Sequence, residues 1–361
     1  METRKKKLVL ENGMSFTGIG YGSAEQTVGE IIFNTSMVGY QEIISDPSYA
    51  GEIVVMTYPL MGQYGIIEED DESKVSLLKG LVVRECCDTP SNFRYTKSLS
   101  EELEERGIPC IAGLDTRMLT RIIRRNGKTM AAIVDETMSD KDALKLIAEN
   151  REEQDWTKKA SCTKRSFART PKHKFDVVAI DCGMKHGIVS ELTKRGCNVT
   201  IVPFDSTAEE IEAFKPDGIL LSSGPGDPQE LTELIDIVKS IRGKFPIFGI
   251  CLGHEIIALS YGAKVERLGC GHHGGMPVRD LSTGKIITVE HNHNYTVNEK
   301  SAVEKGLTVT FRDVAEGTVE GLEKVEDRIF SVQFHPEGTP GPQESDMFDK
   351  FVKMMEGKRN A

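Results

Sequence analysis

The sequence predicts an α/β protein of two domains, a β-rich α+β half followed by a mostly parallel sheet covered by helices on both faces. Three observations carry this. The chain has 361 residues and is 39% hydrophobic, ample for two cores at roughly 100 to 200 residues per domain. Its second half alternates short apolar runs with segments of helical spacing, the pattern of parallel strands joined by crossover helices. Its first half holds short strand-like runs separated by turn residues, the earliest being Asn12-Gly13 between two apolar segments, a hairpin pattern. Domains are expected over 1–150 and 175–358, with a linker over 151–174.

The elements follow in order. Strands are expected at 7–10 and 14–17 around the hairpin turn, then at 30–34, 53–58, 80–83, 109–112 and 129–134. Asp115 is placed to cap a helix through Arg124 that stops near Gly127, and Ser139 with Asp142 three residues on opens another. From 151 to 174 there are eight Lys or Arg against three Asp or Glu, with Trp156 among them and no apolar periodicity. That reads as a solvated basic linker rather than a docking surface. Beyond it, strands at 176–180, 199–203, 218–221 and 245–250 alternate with helices ending near Arg195, Phe214 and Ile241.

Composition excludes several functions. A formal charge of −11 argues against nucleic acid as a partner, because neutralising phosphates needs clustered Lys and Arg. No apolar run reaches 18 residues, and the basic N-terminus leads into only three apolar residues, 8–10. Neither a membrane span nor a signal peptide is expected, and the chain reads as cytoplasmic. The eight cysteines form no C-x-x-C pair and are spread along the chain, unlike a disulfide scaffold.

One cysteine stands apart. The apolar run 246–250 ends at Gly249-Ile-Cys251-Leu-Gly253, the pattern of a nucleophile elbow, in which a strand turns sharply into a helix and the neighbours two residues away must lack bulk. Residues 252–261 carry apolar side chains at helical spacing, which puts the thiol at a helix N-terminus, where the dipole favours thiolate. A cysteine nucleophile needs a base and a group to orient that base. His335-Pro-Glu337 follows the apolar segment 329–334 and supplies both at a strand end. Donors for a developing oxyanion are expected from the Leu252 amide and the loop 224–226, since Ser222-Ser-Gly-Pro-Gly-Asp-Pro228 also follows a strand and would face the same crevice at the carboxyl ends of the sheet.

Other motifs fail in context. Gly269-Cys-Gly271-His-His-Gly274 matches G-x-G-x-x-G but leads into Met276-Pro277 rather than a helix, and no G-x-x-x-x-G-K-[ST] occurs. The histidines at 272, 273, 291 and 293 lack the cysteine or acidic spacing typical of zinc, so no metal is expected.

Together these residues resemble the class I glutamine amidotransferases, which carry the elbow G-I-C-L-G-H, the loop S-x-G-P-G-D-P and the terminal H-P-E. The first half narrows the resemblance. Phe33-Asn-Thr-Ser-Met-Val-Gly-Tyr40-Gln-Glu-Ile-Ile-Ser-Asp-Pro47-Ser48-Tyr49, Thr57-Tyr-Pro-Leu-Met-Gly62 and Leu114-Asp-Thr-Arg117-Met-Leu-Thr-Arg121 are similar to the amino-terminal domain of carbamoyl phosphate synthase small subunits. The resemblance covers nearly the whole chain. It implies a flavodoxin-like C-terminal domain and an N-terminal domain that docks on a large subunit.

It also implies that Cys251 attacks the side-chain amide of L-glutamine, His335 moves the protons and Glu337 orients His335. Substrate contacts would fall on Ser48, Gly224, Gly226, Leu252, Glu255, Asn292, Asn294 and Tyr295. Ammonia would pass to a large subunit that uses ATP, Mg and bicarbonate, with no cofactor in this chain. The sequence departs from the family pattern at the glutamine pocket. Glu255 stands where the elbow helix usually has Gln, the usual Q-N-H-G-[FY] reads His291-Asn-His-Asn294-Tyr295, and 271–277 lacks the Asn-His normally found before the proline. Glu255 lies four residues past Cys251, on the same helix face, where a carboxylate would either raise the thiol pKa or hold the substrate ammonium.

Overall fold

The computed structural model describes residues 4–150, 155–338 and 346–359, in two compact units. Among the described residues the first comprises 4–150 together with 269–273, and the second the remainder. Those five residues were expected within the C-terminal domain.

The first unit is built on a closed barrel of β1 (Arg4–Leu10), β2 (Ser15–Gly22), β3 (Thr27–Asn34), β4 (Glu52–Met56), β6 (Gly80–Val82), β8 (Pro109–Ala112) and β9 (Met130–Asp135), in the order β1-β2-β8-β6-β4-β3-β9. A two-residue pair, β5 (Leu60–Met61) with β7 (Glu85–Cys86), lies beside it. The Asn12-Gly13 turn joins β1 to β2 in antiparallel register, with Gly13 at φ 86°. Closure brings distant segments together: β2 pairs with β8, so Ile19 faces Ala112. Helices α1 (Tyr40–Ser45), α2 (Leu99–Glu105), α3 (Thr116–Asn126) and α4 (Asp140–Glu149) decorate it. Their caps follow the sequence: Asp115 accepts from the Met118 amide, Gly127 ends α3, and Ser139 accepts from the Asp142 amide. The barrel interior is aliphatic, with Leu8, Ile31, Ile53, Val82, Ile111 and Ile133 packed together.

In the second unit, β11 (Phe175–Asp181), β12 (Cys197–Pro203), β13 (Gly218–Leu221), β14 (Ile247–Ile250) and β19 (Ile329–Val332) form a parallel block in the order β12-β11-β13-β14-β19. Alternate residues of β11 go to opposite faces, as a strand requires. Val177 and Ala179 join the core under α6 (His186–Lys194) and α11 (Asp346–Arg359), while Val178 and Ile180 join the core under α7 (Ala208–Ala213), α8 (Thr232–Ile241) and α9 (Leu252–Ser260). Helices therefore cover both faces.

Antiparallel strands extend the block at each edge. One side carries β15 (Val265–Asp280), β16 (Ile286–Val297), β17 (Thr308–Asp313) and β18 (Val319–Lys324), with α10 (Glu299–Glu304) against them. The other side comes from the segment expected to be a solvated linker. Residues 151–154 of that segment lie outside the described residues. The rest folds with the second unit as α5 (Trp156–Ala160) and β10 (Ser166–Ala168), which pairs antiparallel with β12. Its register with Val199 to Ile201 explains why polar spacing hid it: an edge strand of three residues needs no apolar period. Among the described residues no helix is long and apolar enough to cross a membrane.

Candidate active site

The apolar strand β14 delivers Cys251 to the start of α9 in a conformation few side chains adopt, φ 53° and ψ −107°. Such a backbone costs of order 1–3 kcal/mol and persists only where its surroundings fix it. Here they do. The Cys251 amide donates to the Val332 carbonyl of the neighbouring strand at 2.9 Å, and the Gly253 amide donates to Ser222 at 3.1 Å. The two flanking glycines are required by contact: a Cβ on Gly253 would overlap the Leu221 carbonyl, and one on Gly249 would sit 2.7 Å from the Gly253 carbonyl oxygen. The thiol is buried and lies 3.5 Å from the Asn292 carbonyl of β16.

His335 and Glu337 follow β19, the strand beside β14. The His335 amide donates to Glu290 at 2.8 Å, which fixes the backbone, and the ring Nδ1 lies 2.7 Å from Glu337 Oε1. Because a carboxylate only accepts, Nδ1 carries the proton and Nε2 presents a lone pair, the tautomer of a general base. His335 Nε2 makes no hydrogen bond among the described residues.

Lys185 was not anticipated. Its Nζ lies 3.0 Å from the same Glu337 oxygen, and both side chains are essentially inaccessible. Burial alone would push the Glu337 carboxyl up, but the Lys185 ammonium and then His335 overcome it and hold the pKa down at about 2. Glu337 is thus a fixed anion that cannot take the ring proton. Lys185 sits just past the carboxyl end of β11, in the crevice where open parallel sheets place their ligands, and that position was the available sequence clue.

The loop 222–228 lies beside the elbow. Ser222 Oγ accepts from the Cys182 amide at 2.9 Å, and Thr157 Oγ1 donates to the Pro225 carbonyl at 2.6 Å. Gly226 has φ 102°, and a Cβ on Gly224 would overlap the Cys182 carbonyl. Leu252 is buried in the first turn of α9, where amides have no intrahelical acceptor and point outward.

Glu255 is buried on α9, with Oε1 accepting from Gln333 Nε2 at 2.9 Å. That amide nitrogen also lies 3.9 Å from the Cys251 sulfur. Burial, and to a lesser degree the Asp227 charge, push the Glu255 carboxyl up to about 8 against the opposing Gln333 hydrogen bond. At that value it is mostly a neutral acid at pH 7, with one hydroxyl donor and one carbonyl acceptor, one donor fewer than a glutamine amide. His254, next to it, points elsewhere: its Nδ1 meets Ser331 Oγ at 2.9 Å, and burial lowers its pKa to about 3.

Tyr295 is buried with its hydroxyl 3.3 Å from Arg267 Nη1. Asn292 is buried and Asn294 half-buried on the same strand. Ser48 belongs to the first unit, where its amide donates to Asp46 Oδ1 at 2.8 Å. The structure thus gathers Cys251, Glu255, Asn292, His335 and Glu337 with the 224–226 loop on the carboxyl edge of one sheet, and adds Lys185 and Gln333.

A cysteine elbow on one parallel strand, with a histidine–carboxylate pair on the next, defines the class I glutamine amidotransferases, and the family model so described matches residues 178–355. A second, for the carbamoyl-phosphate synthase small chain, matches residues 8–133. The chain is 45% identical to the carbamoyl phosphate synthase pyrimidine-specific small chain of Bacillus subtilis, over 98% of this chain and 96% of that one. It is 46% identical to the carbamoyl phosphate synthase small chain of Staphylococcus epidermidis, over 97% and 96% respectively. The chain belongs to the carbamoyl phosphate synthase small chain family.

Proposed function

We propose that this chain hydrolyses L-glutamine to glutamate and ammonia and passes the ammonia to a large subunit that uses ATP, Mg and bicarbonate to make carbamoyl phosphate. The observation that carries the reading is Cys251, held at positive φ on its elbow beside a strand that ends in the His335–Glu337 pair. His335 Nε2 takes the thiol proton, and the sulfur attacks the side-chain amide carbon. The Leu252 amide and the loop at Gly224 and Gly226 receive the oxyanion. The proton returns to the leaving nitrogen, ammonia departs, and a glutamyl thioester remains. His335 then draws a proton from water, which attacks the thioester and frees Cys251. Glu337, held anionic by Lys185, keeps the ring in the working tautomer. Asn292, Asn294 and Tyr295 would line the substrate. The order of the parallel strands supports a flavodoxin-like domain with its site at the carboxyl edge. The test is glutamine hydrolysis by the purified chain with and without its large subunit; ammonia release is expected in the complex, and none in either state would end the proposal.

Glu255 favours a second reading, a subunit of weakened or altered amide specificity. The two diverge with pH. If neutral Glu255 serves as an amide mimic, kcat/KM for glutamine should fall about tenfold per unit above pH 8, as the carboxyl ionises near its value of about 8. Glu255→Gln should remove that alkaline limb. The variant should also lose a stability slope, because the folded state holds a proton that the unfolded state releases at an ordinary carboxyl pKa, so wild-type stability falls as pH rises towards 8. Identical pH profiles for the two proteins would show that Glu255 does not face the substrate.

A further inference from the structure

His291 and His293 stand two residues apart on β16 with their rings facing, Nδ1 to Nε2 at 3.1 Å. Glu320 of β18 reaches the same point. Its Oε2 is 3.5 Å from His291 Nδ1 and 4.0 Å from His293 Nε2, and all three side chains are buried. The orientation of two of the three donors is set from outside the triangle. His293 Nδ1 lies 2.7 Å from the Tyr295 carbonyl, which only accepts, so Nδ1 holds the proton and the Nε2 lone pair points inward. Glu320 Oε1 accepts from Thr318 Oγ1 at 2.7 Å, which leaves Oε2 as the oxygen facing the rings. A second-sphere carbonyl on one nitrogen and a metal on the other is the usual arrangement of a ligating histidine.

The spacing agrees with a small tetrahedral ion. Bonds of about 2.0–2.1 Å to nitrogen and oxygen put ligand atoms roughly 3.3 Å apart, and the three separations here bracket that value. We propose that His291, His293 and Glu320 bind one zinc ion, the cation suited to imidazole and carboxylate donors without redox chemistry. The expectation of no metal rested on sequence spacing near the histidines, and the acidic ligand comes from another strand. The ion would tie β16 to β18 a second time, beyond their backbone pairing at Val297 and Val319. It would also hold β18 where the Glu320 carbonyl receives the Gln333 amide, behind the glutamine pocket.

The site is independent of thiol chemistry, and the test keeps them separate. The full chain, purified from zinc-supplemented cells, is analysed by inductively coupled plasma mass spectrometry, and a cobalt-loaded sample by visible absorption. About one zinc per chain and the intense d–d bands of four-coordinate cobalt are expected. His291→Gln and Glu320→Gln, each checked by circular dichroism, should lose both signatures, and Cys251→Ala should keep them. A wild-type chain with under about 0.1 zinc and no cobalt spectrum overturns the proposal. So does retention of a full equivalent by folded His291→Gln and Glu320→Gln. Because the wild-type measurement decides by itself, a variant that fails to fold does not rescue the idea.

Discussion

Replacing Cys251 by Ala is expected to lower glutamine-dependent carbamoyl phosphate synthesis by roughly 10⁴-fold or more, the scale on which removal of a nucleophile silences a triad. Synthesis from added ammonia should be unchanged, because the substitution removes one sulfur atom from a buried elbow whose backbone is fixed by Val332. The paired assays separate catalysis from assembly. If glutamine-dependent synthesis survived, the chain would serve the complex only as a structural subunit. If both activities fell together, the substitution would have damaged docking or folding, and Cys251→Ser would be needed to restore the shape.

Lys185→Met is expected to have the largest effect on stability, about 3–5 kcal/mol, because it leaves the Glu337 carboxylate buried without its cation. The pH dependence follows from the sign of the shift. With a folded pKa of about 2, the wild-type pair contributes stability fully above the ordinary carboxyl range near 4.5, and that contribution is lost as pH falls towards 2. In Lys185→Met the carboxyl is pushed up by burial, so Glu337 takes a proton on folding and stability should instead rise as pH falls. Urea titrations between pH 4 and 8 measure this. Equal slopes for the two proteins would mean that Lys185 does not set the charge of Glu337. The variant should also lose glutamine hydrolysis more than proportionately to its folded fraction, because a protonated Glu337 no longer orients His335.

Much of this architecture is legible in local patterns. The caps Asp115 and Ser139, the Asn12-Gly13 hairpin and the β14-to-α9 elbow each follow from residues within a few positions of one another, where propensity and sterics act directly. The alternation from 175 onward similarly implies parallel strands under helices. What sequence pattern conceals is pairing between distant segments. Nothing near Ile19 announces Ala112 as its partner, so barrel closure could not be read, and β10 was hidden because three edge residues carry no period. The site divides in the same way. Cys251, His335 and Glu337 are marked by their glycines and strand ends. Lys185 is marked only by its place after a strand, and Glu320 meets His291 and His293 through the pairing of β16 with β18. Gln333 is a single polar residue in an apolar run, and only the structure shows it joining Glu255 to the thiol.

The parallel pairing of β14 with β19 has a consequence for how the chain acquires its chemistry. Cys251 and His335 lie 84 positions apart, and the intervening chain makes the whole antiparallel excursion from β15 to β18 before β19 returns to its place. Closing so long a loop is entropically slow and comes after local elements have formed. The elbow and its base are therefore completed together, because β19 brings both the Val332 carbonyl that holds the Cys251 backbone and the strand end that carries His335. On the proposed mechanism the thiol would gain its reactivity only at the end of folding.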